Sequence, residues 1–180
     1  KRRRKARASP ARIGAGRGKN STTTIEDSRV VTLVDTNILV YFCDPRDPVK
    51  RAAAREVLHR GEESGDFRIA HQSLVEFMHS VIRSRGGARP LMTREDAIRQ
   101  AELFLLEFPV LYPNEQVFRL ALRGMATYQL SWYDAHLWAY AEHYGMQEIL
   151  SEDFAHGRRY GTVLVRNPFV DASDDKPRSR

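Results

Sequence analysis

The sequence predicts an α/β domain in which a central parallel sheet of four to five strands is flanked by helices. Short apolar runs alternate with longer segments of helical pattern, which indicates strands joined by crossover helices. The chain has 180 residues, so it is long enough for one domain with a sizeable core. A second domain of full size would not fit.

Five apolar runs are predicted to be strands: residues 29–34, 67–70, 109–112, 147–150 and 162–167. Five helices are predicted to begin near Pro48, Ser73, Thr93, Asn114 and Ser131. Between the second and third predicted helices, the glycine-containing stretch "RSRGGARP" (residues 83–90) predicts a loop.

The charge is distributed unevenly along the chain. Of its 29 basic residues, nine lie within residues 1–20, where there is no acid, which leaves 20 basic against all 23 acidic residues in the rest. Because residues 1–28 also lack hydrophobic periodicity, we expect them to form a disordered basic arm. A transit peptide and a nuclear signal are alternatives for this arm. Residues 29–170 are then the folded domain, and residues 171–180 a flexible tail.

Cysteine usage and hydropathy limit the type of protein. Cys43 is the only cysteine, so an intramolecular disulfide and a cysteine-based metal cluster are excluded. A single cysteine suits a reducing compartment. No apolar run approaches the roughly 18 residues of a membrane span. We therefore expect a soluble, cytoplasmic protein that does not enter a membrane.

Four acidic residues occur at informative places relative to the predicted sheet. Asp35 interrupts the apolar run "VVTLVDTNILVYF", directly after the first strand. Glu76 follows the strand at 67–70, and Asp153 follows the strand at 147–150. Since ligands of parallel sheets sit at the carboxyl ends of the strands, these acids are expected at one edge. Asp134 lies at the start of a predicted helix.

Helix capping is an ordinary explanation for each of these acids. Glu76 and Asp134 lie three residues after a serine, the spacing of a capping box. Asp35 and Asp153 could each cap a short helix. Both interpretations, capping and function, stay open for each residue taken singly.

The combination of four acids favours a cation site. Carboxylates that converge on one crevice repel one another, and a divalent cation removes that conflict. Oxygen ligands without cysteine or clustered histidine suit Mg²⁺ or Mn²⁺. Such a site can activate water for attack on a phosphodiester.

Four segments, in this order, resemble the PIN domain family and, within it, the VapC-type toxin ribonucleases: "VDTNILVYF", "SLVEFMHSV", "SWYDAHLWAYAEHYG" and "ILSEDFAHGRRYGTVLVRNPF". The resemblance covers about residues 30–169. It implies a three-layer PIN-like fold. It also implies a catalytic and metal-binding set, supported by a second set of polar residues. The first set is Asp35, Glu76, Asp134 and Asp153, and the second is Thr36, Asn37 and Ser151.

The resemblance further implies an Mg²⁺- or Mn²⁺-dependent endoribonuclease that acts as the toxin of a toxin and antitoxin pair. Members of this type are usually homodimers, inhibited by a cognate antitoxin that covers the acidic crevice. Arg83 and Arg85, in the predicted loop, are candidates for contacts with RNA phosphates. The alternative is a noncatalytic module of the same fold that binds RNA or protein, with the acids serving as caps. The full acidic set favours the nuclease.

Overall fold

The computed structural model describes residues 29–84 and 89–170. The predicted arm at 1–28 and the predicted tail at 171–180 lie outside the described residues. The same holds for residues 85–88, which include Arg85.

The central sheet has six strands, in the order β3-β2-β1-β4-β6-β5. Their bounds are β1 Thr32–Val34, β2 Phe67–Ala70, β3 Val110–Leu111, β4 Glu148–Leu150, β5 Arg159–Tyr160 and β6 Val163–Arg166. All neighbours pair in parallel except β5, which pairs antiparallel with β6. The five predicted strands are confirmed. The extra strand, β5, has only two residues and is joined to β6 by a tight turn in which Gly161 adopts a φ of 62°.

Six helices surround this sheet. They are α1 Thr36–Cys43, α2 Pro48–Ser64, α3 His71–Ile82, α4 Arg94–Glu107, α5 Glu115–Tyr128 and α6 Trp132–His143. The starts predicted near Pro48, Thr93, Asn114 and Ser131 are confirmed. Helix α3 begins two residues before the predicted Ser73, and α1 was not predicted.

The sheet lies between two hydrophobic cores, which gives three layers. Along β1, Leu33 belongs to the core under α5 and α6, whereas Val34 belongs to the core under α1 to α4. Ile149 and Leu150 of β4 alternate in the same way. This alternation is expected because successive side chains of a strand point to opposite faces.

The order of the strands places a crevice beside β1. From β1 the chain moves outward through β2 and β3, and then crosses to β4 on the other side of β1. Val34, the last residue of β1, pairs with Ile69 of β2 and with Leu150 of β4. The segments that follow these strands therefore leave the same edge of the sheet, where the chain order reverses.

Candidate active site

Asp35 is a buried carboxylate at the junction of β1 and α1. It is the N-cap of α1, because Oδ1 accepts a hydrogen bond of 2.6 Å from the backbone N–H of Thr36. Only 8% of its surface is exposed. Burial, and to a smaller extent the nearby charges of Asp153 and Glu76, raise the pKa of Asp35 from 3.8 to about 7, although bonds from Ser151 and Thr36 oppose the shift. Asp35 is thus a cap whose negative charge is poorly compensated.

The three residues predicted to support the site surround Asp35. The hydroxyl of Ser151, which is fully buried, donates to Oδ2 of Asp35 at 2.5 Å. Asn37 donates through Nδ2 to Oδ2 of Asp35 at 3.1 Å and to Oδ2 of Asp153 at 3.2 Å. Thr36 donates through Oγ1 to Glu76 at 3.4 Å. These contacts connect the loop after β4 with the first turn of α1.

Glu76 does not cap a helix. Helix α3 begins at His71 directly after β2, its N-cap Ala70 makes no side-chain bond, and Ser73 donates instead to the carbonyl of Val34 at 3.3 Å. The capping box predicted for Ser73 and Glu76 is therefore wrong. Glu76 accepts a bond of 2.7 Å from Gln72, one turn earlier. Burial raises its pKa, with smaller contributions from Asp134 and Asp153, whereas Gln72 and Thr36 lower it.

Asp134 reaches the cleft from the other helix layer. Ser131 caps α6 by accepting from the backbone N–H of Asp134 at 3.2 Å, so the predicted N-cap is confirmed. Helix α5 ends at Tyr128, and its C-cap Gln129, with a φ of 57° and a ψ of 34°, turns the chain sharply, so only residues 129–131 separate α5 from α6. This short turn fixes where α6 begins and hence the position of Asp134.

One cleft, of about 450 Å³, is lined by all four predicted acids together with Thr36 and Asn37. The acids are contributed by four segments: the end of β1, α3, the start of α6 and the loop after β4. Asp153 is exposed at its rim. The clustering expected from the carboxyl edge of the sheet is thus present.

The chemistry of this donor set fits a hard divalent cation. The carboxylates are negative and mutually repelling, and Oδ1 of Asn37 is buried without a hydrogen-bond partner. Within residues 29–84 and 89–170, no three His, Cys, Asp or Glu side chains are placed to hold one ion. An ion in this cleft would therefore be bound directly by one or two carboxylates, with waters and substrate phosphates as its other ligands, as is common for Mg²⁺.

Glu152, next to Asp153, is engaged elsewhere. Its two carboxylate oxygens accept hydrogen bonds from the hydroxyl of Tyr41 at 2.6 Å and from Nζ of Lys50 at 2.5 Å. Lys50 also lies over the ring of Tyr41, 4.4 Å from its centroid. These contacts hold the loop after β4 against α1 and α2, and they leave Asp153 as the acid of this loop that faces the cleft.

Arginines also reach the cleft. Arg83, predicted to contact RNA, lines it, and Arg89 and Arg46 do so as well. Gln72 and Arg46 were missed from the sequence. Gln72 carried a usable signal, since it precedes Glu76 by four residues and the two share a helix face. Arg46 carried no such signal, because it lies in "DPRDP", a sequence that predicts only a turn.

A family model supplies the decisive comparison: the model of the PIN domain matches residues 32–161. The chain belongs to the PIN domain family. The match covers strands β1 to β5, all six helices and each of the four acids, and it ends just before β6. No curated protein sequence matches the chain significantly.

Solved structures show the same PIN fold at low sequence identity. DNA-bound VapBC from Salmonella typhimurium has a TM-score of 0.58 at 14% identity, covering 78% of this chain and 99% of that chain. A toxin-antitoxin complex from Klebsiella pneumoniae has a TM-score of 0.54 at 20% identity, covering 76% and 97%. VapC20 of Mycobacterium tuberculosis, described as a sarcin-ricin loop cleaving toxin, has a TM-score of 0.50 at 18% identity, covering 66% and 86%.

The remaining predictions concern membranes, oligomeric state and location. None of the helices in the described ranges is long and apolar enough to cross a membrane. Homodimer formation and a cytoplasmic location stay predictions.

Proposed function

We propose that this PIN domain is a metal-dependent endoribonuclease whose active site is the acidic cleft. The observation that carries the proposal is the burial of Asp35 among other carboxylates, with its pKa raised to about 7. Helix capping accounts for one bond to Asp35, but a neutral cap such as Asn or Ser would make the same bond without the charge. A negative charge kept in this place calls for a cation.

The acids would bind the cation, and the neighbouring polar residues would position the acids. One or two of Asp35, Glu76, Asp134 and Asp153 would bind Mg²⁺ or Mn²⁺ directly and the others through its waters, and the ion would supply an activated water and stabilise the leaving oxygen of a phosphodiester. Ser151 and Asn37 orient Asp35, and Asn37 also positions Asp153 through the same amide. Gln72 and Thr36 hold the carboxylate of Glu76 towards the cleft.

The proposal is tested by cleavage of labelled single-stranded RNA. We expect cleavage with Mg²⁺ or Mn²⁺ and none in EDTA, because the carboxylates repel phosphate when no cation is present. Glu76→Gln should reduce the rate by about 100-fold, at the level expected when a group supporting a metal is lost. Glu107→Gln is the matched control, since burial also raises the pKa of Glu107 but it lies outside the cleft. Equal rates for the two variants would exclude Glu76 from the site, and cleavage that persists in EDTA would exclude metal dependence.

We further propose that the protein is the toxin of a pair and that its antitoxin inhibits it at this cleft. Several structural neighbours are toxin-antitoxin complexes, which supports a partner of this kind. An arginine or lysine of the partner placed among the acids would supply the positive charge that they lack.

The prediction for this partner is a loss of affinity on removal of the acids. A double variant, Asp35→Ala with Asp134→Ala, should bind the cognate partner at least about tenfold more weakly, because charge-assisted hydrogen bonds are lost. Calorimetric titration of both proteins with the partner measures this difference. If the affinities were equal, the partner would bind somewhere other than the cleft.

A further inference from the structure

The cleft has a second end with the opposite charge. Helices α1 and α3 both begin at the carboxyl edge of the sheet and pack against each other. Asp35 is the N-cap of α1 and Glu76 lies near the middle of α3, whereas Arg46 follows α1 and Arg83 follows α3. All four line the same cleft. Because α1 has eight residues, the two ends are separated by about 12 Å of helix.

Arg46 is held in a fixed orientation at this end. Its Nε and Nη2 donate to the two carboxylate oxygens of Asp44 at 2.8 and 2.7 Å, and its backbone N–H donates to the same group at 2.9 Å. Asp44 is itself anchored, since it is 7% exposed and its backbone N–H donates to the carbonyl of Tyr41. The side chain of Arg46 is 62% exposed. Across the described ranges, its Nη1 has no acceptor.

The charge of this end is positive. Arg46 and Arg83 line it just after the C-terminal ends of α1 and α3, Arg89 lines the same cleft, and one carboxylate, that of Asp44, lies beside Arg46. The ion pair with Asp44 explains how the turn between α1 and α2 is closed, but it does not explain why three arginines line an acidic cleft. Arginine presents a planar fork that matches phosphate oxygens.

We propose that Arg46, together with Arg83 and Arg89, forms a phosphate-binding subsite for the RNA strand, beside the position of the scissile phosphate. The inference rests on the proposed nuclease function and adds the direction in which the substrate runs: along the groove between α1 and α3, from the acids to the arginines. A polyanion entering an acidic cleft is repelled, and a positive subsite on the same strand offsets that repulsion. Asp44 acts as the positioning residue that keeps the guanidinium of Arg46 in place.

The test compares Arg46→Gln with Arg119→Gln in the full-length protein. Arg119 is the matched control because its side chain is 65% exposed and paired with a carboxylate, that of Glu115, and neither residue lines the cleft. The probes are two labelled single-stranded RNAs, oligouridine and oligoadenosine, titrated in EDTA across a salt series. Arg46→Gln should bind both about tenfold more weakly, the loss expected for one charge-assisted hydrogen bond. Its log-log salt slope should flatten by about 0.7, the value for one phosphate on a single strand.

Further readouts separate the subsite from a structural role. With Mg²⁺ present, Arg46→Gln should raise KM by a larger factor than it lowers kcat, because the acids stay in place. Arg46→Lys should keep the salt slope but regain only part of the affinity, because the fork is lost. The loss should be the same for both RNAs, since phosphate contacts carry no sequence information. If Arg46→Gln does not fold, Arg89→Gln takes its place with the same expected losses.

The outcomes distinguish this inference from the proposed function. Equal affinity and salt slope for Arg46→Gln and Arg119→Gln would overturn the subsite, even if Glu76→Gln loses cleavage and the nuclease proposal stands. RNA binding that depends on Arg46, without cleavage in any divalent cation, would retain the subsite and overturn the nuclease. Absence of RNA binding by the wild-type protein in EDTA would overturn the subsite, whereas the nuclease proposal is tested by the cleavage assay with Mg²⁺ or Mn²⁺.

Discussion

In protein freed of divalent cations, Asp35→Asn should unfold at a higher urea concentration than the wild type at pH 8. Burial raises the pKa of Asp35 from 3.8 to about 7, so ionisation of this carboxyl opposes folding. The shift corresponds to roughly 4 kcal/mol, at about 1.4 kcal/mol for each unit of pKa. In Asp35→Asn, an amide nitrogen replaces Oδ2 and cannot accept the bond that Asn37 donates. The loss of this bond offsets about 1 kcal/mol of the gain. The net expected gain in the free energy of unfolding is about 3 kcal/mol.

The pH dependence of this gain follows from the direction of the shift. Because the folded state binds the proton of Asp35 more tightly than the unfolded state does, the contribution of Asp35 to the stability of the wild type falls as pH rises from about 4 to about 7. The difference in unfolding free energy between Asp35→Asn and the wild type should therefore grow by about 2 to 3 kcal/mol between pH 5 and pH 8. Other titrating groups are common to both proteins and cancel in the comparison.

Asp44→Asn is the matched control for this experiment. Asp44 is as buried as Asp35, but its ion pair with Arg46 lowers its pKa. The stabilisation from that pair is present above the unfolded pKa and is lost as pH falls through the folded one. Asp44→Asn should consequently lower stability at pH 8, opposite to Asp35→Asn. A difference for Asp35→Asn that did not change with pH would mean that Asp35 ionises without penalty.

The sheet and most of the helices were predictable from the sequence because their signals are local. Apolar runs marked the five parallel strands, and the confirmed helix starts coincide with capping residues or with a proline at the first position. Strand β5 was not predicted because two residues are too few to show the alternation of a strand. Helix α1 escaped because "ILVYF" is rich in β-branched and aromatic residues, which favour strands. The cap at Asp35 and burial of Ile38 and Leu39 override that preference.

Part of the candidate site could likewise be predicted from the sequence, and part could not. The four acids could be found because each follows a strand or opens a helix, and the topology then brings them together. Which of them caps a helix could not be found, because Ser73 and Ser131 have the same spacing to an acid. Only the position of α3 directly after β2 shows that Ser73 lies inside the helix and bonds to Val34. The position of Arg46 in the cleft could not be predicted, because it depends on the ion pair with Asp44 at the end of α1, a helix that the sequence did not predict.

The second large effect concerns catalysis by the same Asp35→Asn variant. Replacing the carboxylate by an amide preserves the size of the side chain but removes a charged oxygen ligand. We expect cleavage of RNA in Mg²⁺ to fall by at least about 100-fold, the upper end of the loss for groups that merely support a metal ligand. Because the variant is expected to be more stable than the wild type without metal, unfolding would not explain the loss.

The central claim is that Asp35 is buried because it binds a catalytic cation, and one measurement tests it directly. Single-turnover cleavage of a labelled single-stranded RNA is followed in saturating Mg²⁺ for the wild type and for Asp35→Asn, both shown to be folded by their urea transitions. The predicted result is cleavage by the wild type and almost none by the variant. Undiminished cleavage by Asp35→Asn would contradict the assignment and leave Asp35 as a helix cap alone.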